Sequence, residues 1–295
     1  MWIHLFLLVL VLLLLWRIPE STEFPHRFLL AEHIKLACDC ELEEEHDHEG
    51  EMRLFSAPLP FVVNLYVREG AEKIPIDNQG AWGSCTAHAM RYAWCLWKTM
   101  ENPSAALVLP SRTFWYAESR LRLGDRGPKL KDLGSTNEST VWVLANRGSI
   151  PETLYPYNKV NIAAVPTASV RQTASSNTLS VPTSYKFFSS SEANVNAFRT
   201  ALANGQSIIF GILVYSSFMS KSALTSGRIP MPILSGRWRE KLLGGHAICI
   251  SGYNDHTRLF SFRNSWGSGY GQNGTFFLPY DYAGNINLCG DAWLF

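Results

Sequence analysis

One cysteine stands where a polar, glycine-containing loop meets a helical pattern. The loop runs over residues 77–84, and the pattern that begins at Cys85 is rich in alanine and aromatic residues as far as Trp97. A thiol at a helix N-terminus lies next to unpaired backbone N–H groups and the positive end of the helix dipole, which stabilise an anion. Because the thiolate is the nucleophilic form of cysteine, this position suits Cys85 for nucleophilic catalysis.

A glutamine in the same loop could assist such a nucleophile. Gln79 precedes Cys85 by six positions, and its side-chain amide can donate a hydrogen bond to a carbonyl oxygen that becomes charged during attack. Gly80 and Gly83 allow the loop to fold back toward the cysteine. A single cysteine at a helix start is more often a small buried apolar residue, so other residues must decide between the two interpretations.

A histidine and an asparagine far downstream favour the catalytic interpretation. His246 lies in a Gly-Gly-His-Ala stretch and Asn264 begins an Asn-Ser-Trp-Gly stretch. A cysteine nucleophile needs an imidazole that accepts its proton and later protonates the leaving amine, and the imidazole needs a third group that fixes its tautomer. The sequence therefore predicts a catalytic set of Cys85, His246 and Asn264, with Gln79 stabilising the oxyanion.

Together these segments resemble the signatures of the papain family of cysteine peptidases. They are Gln-Gly followed by Gly-Ser-Cys, ending at Cys85, then Gly-His-Ala around His246, then Asn-Ser-Trp-Gly from Asn264. The resemblance covers roughly residues 58–290. It implies an α+β, two-lobe fold in which a helical lobe and an antiparallel β-barrel-like lobe enclose the active-site cleft. It also implies a peptide-bond hydrolase.

The resemblance further implies where a peptide binds. In the family, the loop equivalent to residues 124–137 forms one wall of the cleft, although an ordinary surface loop is an equally good interpretation here. Trp266 is expected to shield the hydrogen bond between His246 and Asn264 from water. The expected substrate-binding residues are Gly83, Ser84, Trp266, Gly134 and Ser135, with Thr136 beside them. We expect no cofactor and no metal.

Two positions depart from the secreted members of the family. Those relatives usually carry a cysteine three residues before the nucleophile, where this chain has Trp82, and Thr86 stands where the family usually has tryptophan. The Gly-Ser-Cys-Thr-Ala pattern is more similar to disulfide-poor papain-like peptidases of bacteria and large DNA viruses. We therefore expect the six cysteines to be mostly reduced, which indicates a reducing compartment. His88 shares a helix with Cys85 and is expected to be structural.

The N-terminal segment predicts a membrane anchor. Residues 1–16 are almost entirely apolar, shorter than the ~20 residues of an ideal span, and lack the basic start and small-residue cleavage site of a signal peptide. An uncleaved anchor is therefore favoured over secretion after signal cleavage, and over a buried core helix. Arg17 follows the apolar run, which by the positive-inside rule places the rest of the chain in the cytosol or the interior of a virion.

The sequence therefore predicts three segments: an anchor at 1–17, an acidic connector at 18–57 and a catalytic domain at 58–295. The domain divides into a helical lobe at 58–165 and a β lobe at 183–295. Cysteines and histidines of the connector have no usual zinc spacing, so an acidic tether is the better interpretation. The chain of 295 residues carries a net charge of +1, which predicts no electrostatic attraction to nucleic acid.

Periodicity predicts the main elements of both lobes. Helices are expected at 85–97, 111–120, 139–146 and 191–204, and strands at 184–188, 207–215, 246–253 and 259–263, with 275–278 as the last strand. The segment 158–183 is expected to cross between the lobes without helices.

The sequence thus predicts a membrane-anchored thiol endopeptidase that acts on polypeptides. The alternative is a papain-fold structural or scaffolding protein, for example a virion membrane component. The intact set of Gln79, Cys85, His246 and Asn264 favours the enzyme, because a scaffold has no need of all four.

Overall fold

The computed structural model of the chain describes residues 58–179 and 182–295. Within those ranges, no helix has both the length and the apolar character needed to cross a membrane. The expected anchor at 1–17 and connector at 18–57 lie outside the described residues.

The helical lobe is built on three helices, α1 (Cys85–Glu101), α2 (Arg112–Arg122) and α3 (Asn137–Arg147). All three were predicted, and α3 begins earlier than its apolar pattern suggested. The reason is a capping box, in which the Thr136 hydroxyl accepts from the Ser139 backbone N–H and the Ser139 side chain pairs with the Thr136 backbone. Such caps satisfy the free N–H groups of the first turn and extend a helix beyond its buried face.

The expectation of a helix-free crossover between the lobes was wrong. Two short helices occur there, α4 (Lys159–Ile162) and α5 (Ala168–Ser175). Asn158 and Thr167 start them, since their side chains accept hydrogen bonds from backbone N–H groups of the first turns. Each helix also buries one apolar residue, Ile162 and Ala174. Because these helices are started by polar caps and bury only one apolar residue each, the sequence shows little apolar periodicity that would predict them.

The β lobe contains one antiparallel sheet of seven strands. Its order is β2-β7-β3-β4-β5-β6, with β1 paired to β4. The strands are β1 (Val62–Asn64), β2 (Thr183–Tyr185), β3 (Ile208–Tyr215), β4 (Leu242–Asn254), β5 (Leu259–Arg263), β6 (Thr275–Pro279) and β7 (Cys289–Leu294). Three further helices in this half are α6 (Ser191–Ala203), α7 (Lys221–Ser226) and α8 (Tyr280–Ala283).

The expected last strand, 275–278, is not the last. That segment is β6, and β7 follows it and pairs with both β2 and β3 inside the sheet. Gly290 and Asp291 disfavour a strand in isolation, and β7 forms because a buried position between two strands compensates for its weak propensity. The strand predicted at 184–188 is also shorter, because β2 ends at Tyr185.

Two contacts position the helical lobe against the sheet near the predicted site. The Tyr92 hydroxyl of α1 accepts from the Asp77 backbone N–H at 2.7 Å, and it lies 3.4 Å from the Asn264 carbonyl oxygen, to which it donates. Tyr92 is buried, so these bonds are shielded from water. One side chain of α1 therefore joins the loop before Cys85 to the end of β5.

Candidate active site

His246 and Asn264 form a buried hydrogen-bonded pair. His246 Nε2 lies 2.9 Å from Asn264 Oδ1, and the same oxygen accepts from the Ser265 backbone N–H at 2.8 Å. Because a backbone N–H can only donate, the atom that it meets is the amide oxygen, and Nε2 must therefore carry a hydrogen. In the neutral imidazole the lone pair then lies on Nδ1, which is the atom that a general base requires.

Cys85 begins α1 and faces the strand that carries His246. It is half-buried, and its sulfur lies close enough to β4 for a hydrogen bond with the Ala247 backbone to lower the thiol pKa. Ala247 directly follows His246, so the structure brings the sulfur to the part of β4 that carries the imidazole. Ser84 caps α1 without a side-chain bond to the first turn, which leaves the N–H groups of that turn directed at the site.

Burial changes the pKa values of Cys85 and His246 in the directions that favour the neutral form of each group. Desolvation raises the pKa of Cys85, and backbone hydrogen bonds oppose that shift. Desolvation likewise lowers the pKa of His246 to about 4, against the opposing effect of Asn264. A proton transfer from the thiol to Nδ1 would create two opposite charges together, which costs less than forming either charge alone.

Trp266 covers the imidazole. Its ring stacks on that of His246, with centroids 5.2 Å apart and an interplanar angle of 30°. Phe218 and Phe276 pack edge-on against the tryptophan, so the indole is only 4% exposed. The aromatic layer excludes water from one side of the histidine, which strengthens the hydrogen bond to Asn264.

Gln79 is held by both of its amide atoms. Its Oε1 accepts a hydrogen bond from the Ser265 hydroxyl, and its Nε2 donates to the Trp82 carbonyl at 2.7 Å. Its backbone N–H also donates to the Ser265 carbonyl at 2.8 Å. The amide nitrogen has two hydrogens, so one remains for an oxyanion after the bond to Trp82.

Tyr157 connects the two ends of this loop, a role that the sequence did not indicate. Its hydroxyl donates to the Gln79 carbonyl at 2.8 Å and lies 2.6 Å from the Ser84 hydroxyl. Since the phenol has one hydrogen, Ser84 is the donor in the second bond. The Ser84 side chain is fully buried and its hydroxyl is used in that bond. The expected contact of Ser84 with substrate stays a prediction, and it would have to be made by the backbone.

The loop at 124–137 lies against the loop that precedes Cys85. Its Asp132 Oδ1 accepts from the Gly83 backbone N–H at 2.9 Å, and the Ser135 hydroxyl lies 2.5 Å from that of Thr86. Gly134 donates its backbone N–H to the Tyr116 hydroxyl at 3.0 Å. Gly83 and Gly134 thus adjoin the site with their N–H groups already bonded, and their substrate contacts stay predictions.

His88 has the structural role that was expected. Its Nδ1 lies 2.9 Å from the Ser84 carbonyl, which can only accept, so Nδ1 carries the hydrogen. Nε2 then accepts from Arg112 Nη1 at 3.2 Å. Desolvation and the neighbouring cations hold the pKa of His88 well below its ordinary value, so this buried histidine is neutral and joins α1 to α2.

Four cysteines lie in the described ranges, and none of them forms a disulfide: Cys85, Cys95, Cys249 and Cys289. Cys95 and Cys249 are buried in the core. Within the same ranges, no cluster of three or more histidine, cysteine, aspartate or glutamate side chains is placed to hold a metal ion.

A sequence model of the papain family cysteine proteases matches residues 130–292, which is more than half of the chain. The chain belongs to the papain family of cysteine proteases. The matched stretch contains His246 and Asn264 and begins after Cys85, so the assignment of the nucleophile rests on the loop motif and the geometry described above. A cysteine-type peptidase is what this family membership establishes.

Relatives support both the family and the fold. The chain is 29% identical over 224 residues to an uncharacterized peptidase C1-like protein of Acanthamoeba polyphaga mimivirus, covering 74% of this chain and 68% of that protein. Xylellain, a cysteine protease from Xylella fastidiosa, is 28% identical with a TM-score of 0.68, over 80% of this chain and 86% of the other. A digestive procathepsin L from the larval midgut of Tenebrio molitor shares the fold at 16% identity, with a TM-score of 0.60 over 88% and 77% of the two chains. The papain-like α+β fold expected from the sequence is confirmed.

Proposed function

We propose that this papain-family peptidase cleaves within polypeptides through Cys85, His246 and Asn264, with an oxyanion site formed by Gln79. The observation that carries the proposal is the tautomer of His246, since the double hydrogen bond at Asn264 Oδ1 leaves Nδ1 as the basic nitrogen. The contact of the Cys85 sulfur with the Ala247 backbone supports it, because Ala247 directly follows His246 in β4.

The proposed reaction has two steps, acylation of Cys85 and hydrolysis of the resulting thioester. The Cys85 thiol gives its proton to Nδ1 of His246, and the sulfur attacks the peptide carbonyl carbon. The resulting oxyanion accepts from the Gln79 amide and the Cys85 backbone N–H, and each such donor lowers the barrier by about 3 kcal/mol. The imidazolium then protonates the departing amine, which leaves a thioester. Water, deprotonated by His246, releases the acid and regenerates the thiol.

A scaffold that keeps the fold without cleaving peptides is the second candidate. Two hydrogen bonds favour the enzyme: the buried one from the Ser265 hydroxyl to Gln79 and the partly buried one from the Tyr157 hydroxyl to the Gln79 carbonyl. These bonds fix the position of Gln79, whose side-chain amide still has one hydrogen available for a ligand. A protein that only serves as a scaffold has no need of an amide positioned in this way.

Alkylation of the thiols over a range of pH tests the proposal. At mildly acidic pH, a thiolate-selective epoxide should modify Cys85 and spare Cys95 and Cys249. The reagent cannot reach the two core thiols, which are 0% exposed, and burial raises their pKa to about 12, whereas Cys85 is only half-buried and has His246 as its proposed base. Since the pKa of His246 is lowered to about 4, the base stays neutral above that pH. Labelling of Cys85 should therefore persist through pH 5 and disappear as the pH falls through about 4.

Peptide mapping by mass spectrometry identifies the modified cysteine, and fluorescence of the buried tryptophans at each pH confirms that the protein is still folded. In His246→Ala, which removes the base, labelling of Cys85 at mildly acidic pH should be lost. Slow and uniform labelling of all thiols in the wild-type protein would favour the scaffold.

We also propose that residues 1–17 anchor the protein in a membrane, with the catalytic domain on the reducing side. The support is the apolar run from Leu5 to Leu15 and the reduced state of the cysteines in the described residues. The full chain should stay with membranes during alkaline carbonate extraction and be released by detergent. Recovery in the carbonate supernatant, or an N-terminus cleaved after the apolar run, would contradict the anchor.

A further inference from the structure

A carboxylate of the cleft-wall loop lies beside the residues that lead into Cys85. Asp132 is half-buried, and its Oδ1 accepts two hydrogen bonds, from the Gly83 backbone N–H at 2.9 Å and from the Tyr116 hydroxyl at 2.5 Å. Gly83 precedes the nucleophile by two positions. The carboxylate therefore occupies a fixed place close to where the scissile carbonyl must sit.

The charge of this carboxylate has no ion-pair partner among residues 58–179 and 182–295. No lysine or arginine of those ranges makes a salt bridge with Asp132. Arg120 lies over the Tyr116 ring at 4.1 Å and interacts electrostatically with Asp132. Its two Nη atoms donate to the carbonyls of Lys131 and Ile162, so neither of them bonds to the carboxylate. Within the same ranges, both donors to Asp132 use Oδ1, so Oδ2 has capacity for a ligand.

The negative charge also reaches the nucleophile. Burial is the main cause of the raised pKa of Cys85, and the charge of Asp132 raises it further. A carboxylate at this position therefore works against thiolate formation in the empty site. A cation that bound to it would remove that opposition.

The geometry indicates which part of a substrate would meet Asp132. The leaving amine takes its proton from His246, so the residue on that side of the scissile bond lies near Trp266, in the β lobe. The acyl side then faces the opposite wall, which consists of Gly83 and the loop that contains Asp132. The first side chain on the acyl side, called P1, is the one nearest to this wall.

We infer that Asp132 gives the proposed peptidase a preference for a cationic P1 residue, lysine or arginine, which binds its Oδ2. The inference rests on the proposed function. A carboxylate held by one oxygen in a partly desolvated cleft discriminates strongly between a cation and a neutral side chain, because a charged hydrogen bond is stronger than a neutral one.

Asp132 also holds Gly83 in place through a hydrogen bond. A test substitution must therefore remove the negative charge and keep this hydrogen bond. Asp132→Asn does so, because the asparagine Oδ1 can still accept from the Gly83 N–H and the Tyr116 hydroxyl. The experiment compares kcat/KM for two peptides that differ only in arginine or glutamine at P1. We expect the wild-type protein to prefer arginine, and the ratio of the two values to fall on the order of tenfold to a hundredfold in Asp132→Asn.

Asp125→Asn is the matched control, because it removes one negative charge from the same loop. Asp125 braces the Lys131 backbone N–H rather than Gly83, so its variant should keep the wild-type ratio. A measurement without any variant is salt dependence, since an ionic preference at a half-buried site weakens as salt is added.

Equal rates on the arginine and glutamine peptides in the wild type would overturn the inference, and so would an unchanged ratio in Asp132→Asn. Both outcomes leave peptide cleavage by Cys85 in place. If the wild-type protein cleaves neither these peptides nor an unstructured protein substrate, the proposed function fails and the P1 preference fails with it.

Discussion

Replacing Cys85 with alanine should abolish peptide cleavage and leave the fold intact. The sulfur forms the covalent bond to the acyl group, and no other group at the site can take its place. By comparison with the removal of nucleophiles from hydrolases, we expect kcat to fall by a factor on the order of 10⁶. The fold should persist because Cys85 is only half-buried and alanine is the residue most favourable to helices.

The matched control is Cys95→Ala, which makes the same chemical change on the same helix. Cys95 lies in the core of α1 and takes no part in the proposed reaction, so this variant should cleave peptides at nearly the wild-type rate. Far-UV circular dichroism and the thermal midpoint of each variant establish that it is folded. Cleavage by Cys85→Ala at the wild-type rate would show that another residue is the nucleophile.

The sequence predicted the parts of the site whose signals are local. Cys85 could be placed because a glycine-containing loop gives way to helical periodicity at that residue, and His246 and Asn264 because the short motifs that contain them were expected at strand ends. Asn264 directly follows β5 as expected, but the expectation that a strand begins at His246 was wrong, because β4 begins at Leu242 and its pairing with β3 extends the strand on both sides of His246. The helices α1, α2 and α3 followed from strong apolar periodicity, which reports burial on one face.

The residues that the sequence missed act over long separations. Tyr157 bonds to Gln79 and Ser84 across more than seventy residues, and Asp132 bonds to Gly83 across forty-nine. A tyrosine in a turn and an aspartate in a loop have no local pattern that names a distant partner. Their roles depend on which backbone groups the tertiary fold brings near them.

Other contacts stabilise the region in which secreted members of the family usually have a disulfide and this chain has Trp82. Trp82 packs against the core. The Gly83 backbone N–H donates to Asp132, and the hydroxyls of Thr86 and Ser135 share a hydrogen bond, so the residues on both sides of Cys85 are joined to the loop at 124–137. These bonds hold the two loops together without a covalent link. They need no oxidising environment, in agreement with the four reduced cysteines of the described residues.

Removing the amide donor of Gln79 should cause the second largest loss of activity. In Gln79→Glu, the retained Oε1 can still accept from the Ser265 hydroxyl, but the N–H that would bind the oxyanion is gone and an acidic oxygen takes its place. Loss of one oxyanion donor typically lowers kcat about 10²- to 10³-fold. Because the oxyanion exists only after attack, kcat and kcat/KM should fall together while KM changes little.

Ser265→Ala distinguishes the donor from its support. That variant removes the hydroxyl that orients Gln79 but keeps the amide and its bond to the Trp82 carbonyl, so the loss should be about tenfold or less. Gln79→Ala should resemble Gln79→Glu, because both lack the donor. If kcat were preserved in both Gln79 variants and only KM rose, the side chain would contribute to substrate binding, and the oxyanion would have to depend on backbone N–H groups at the start of α1.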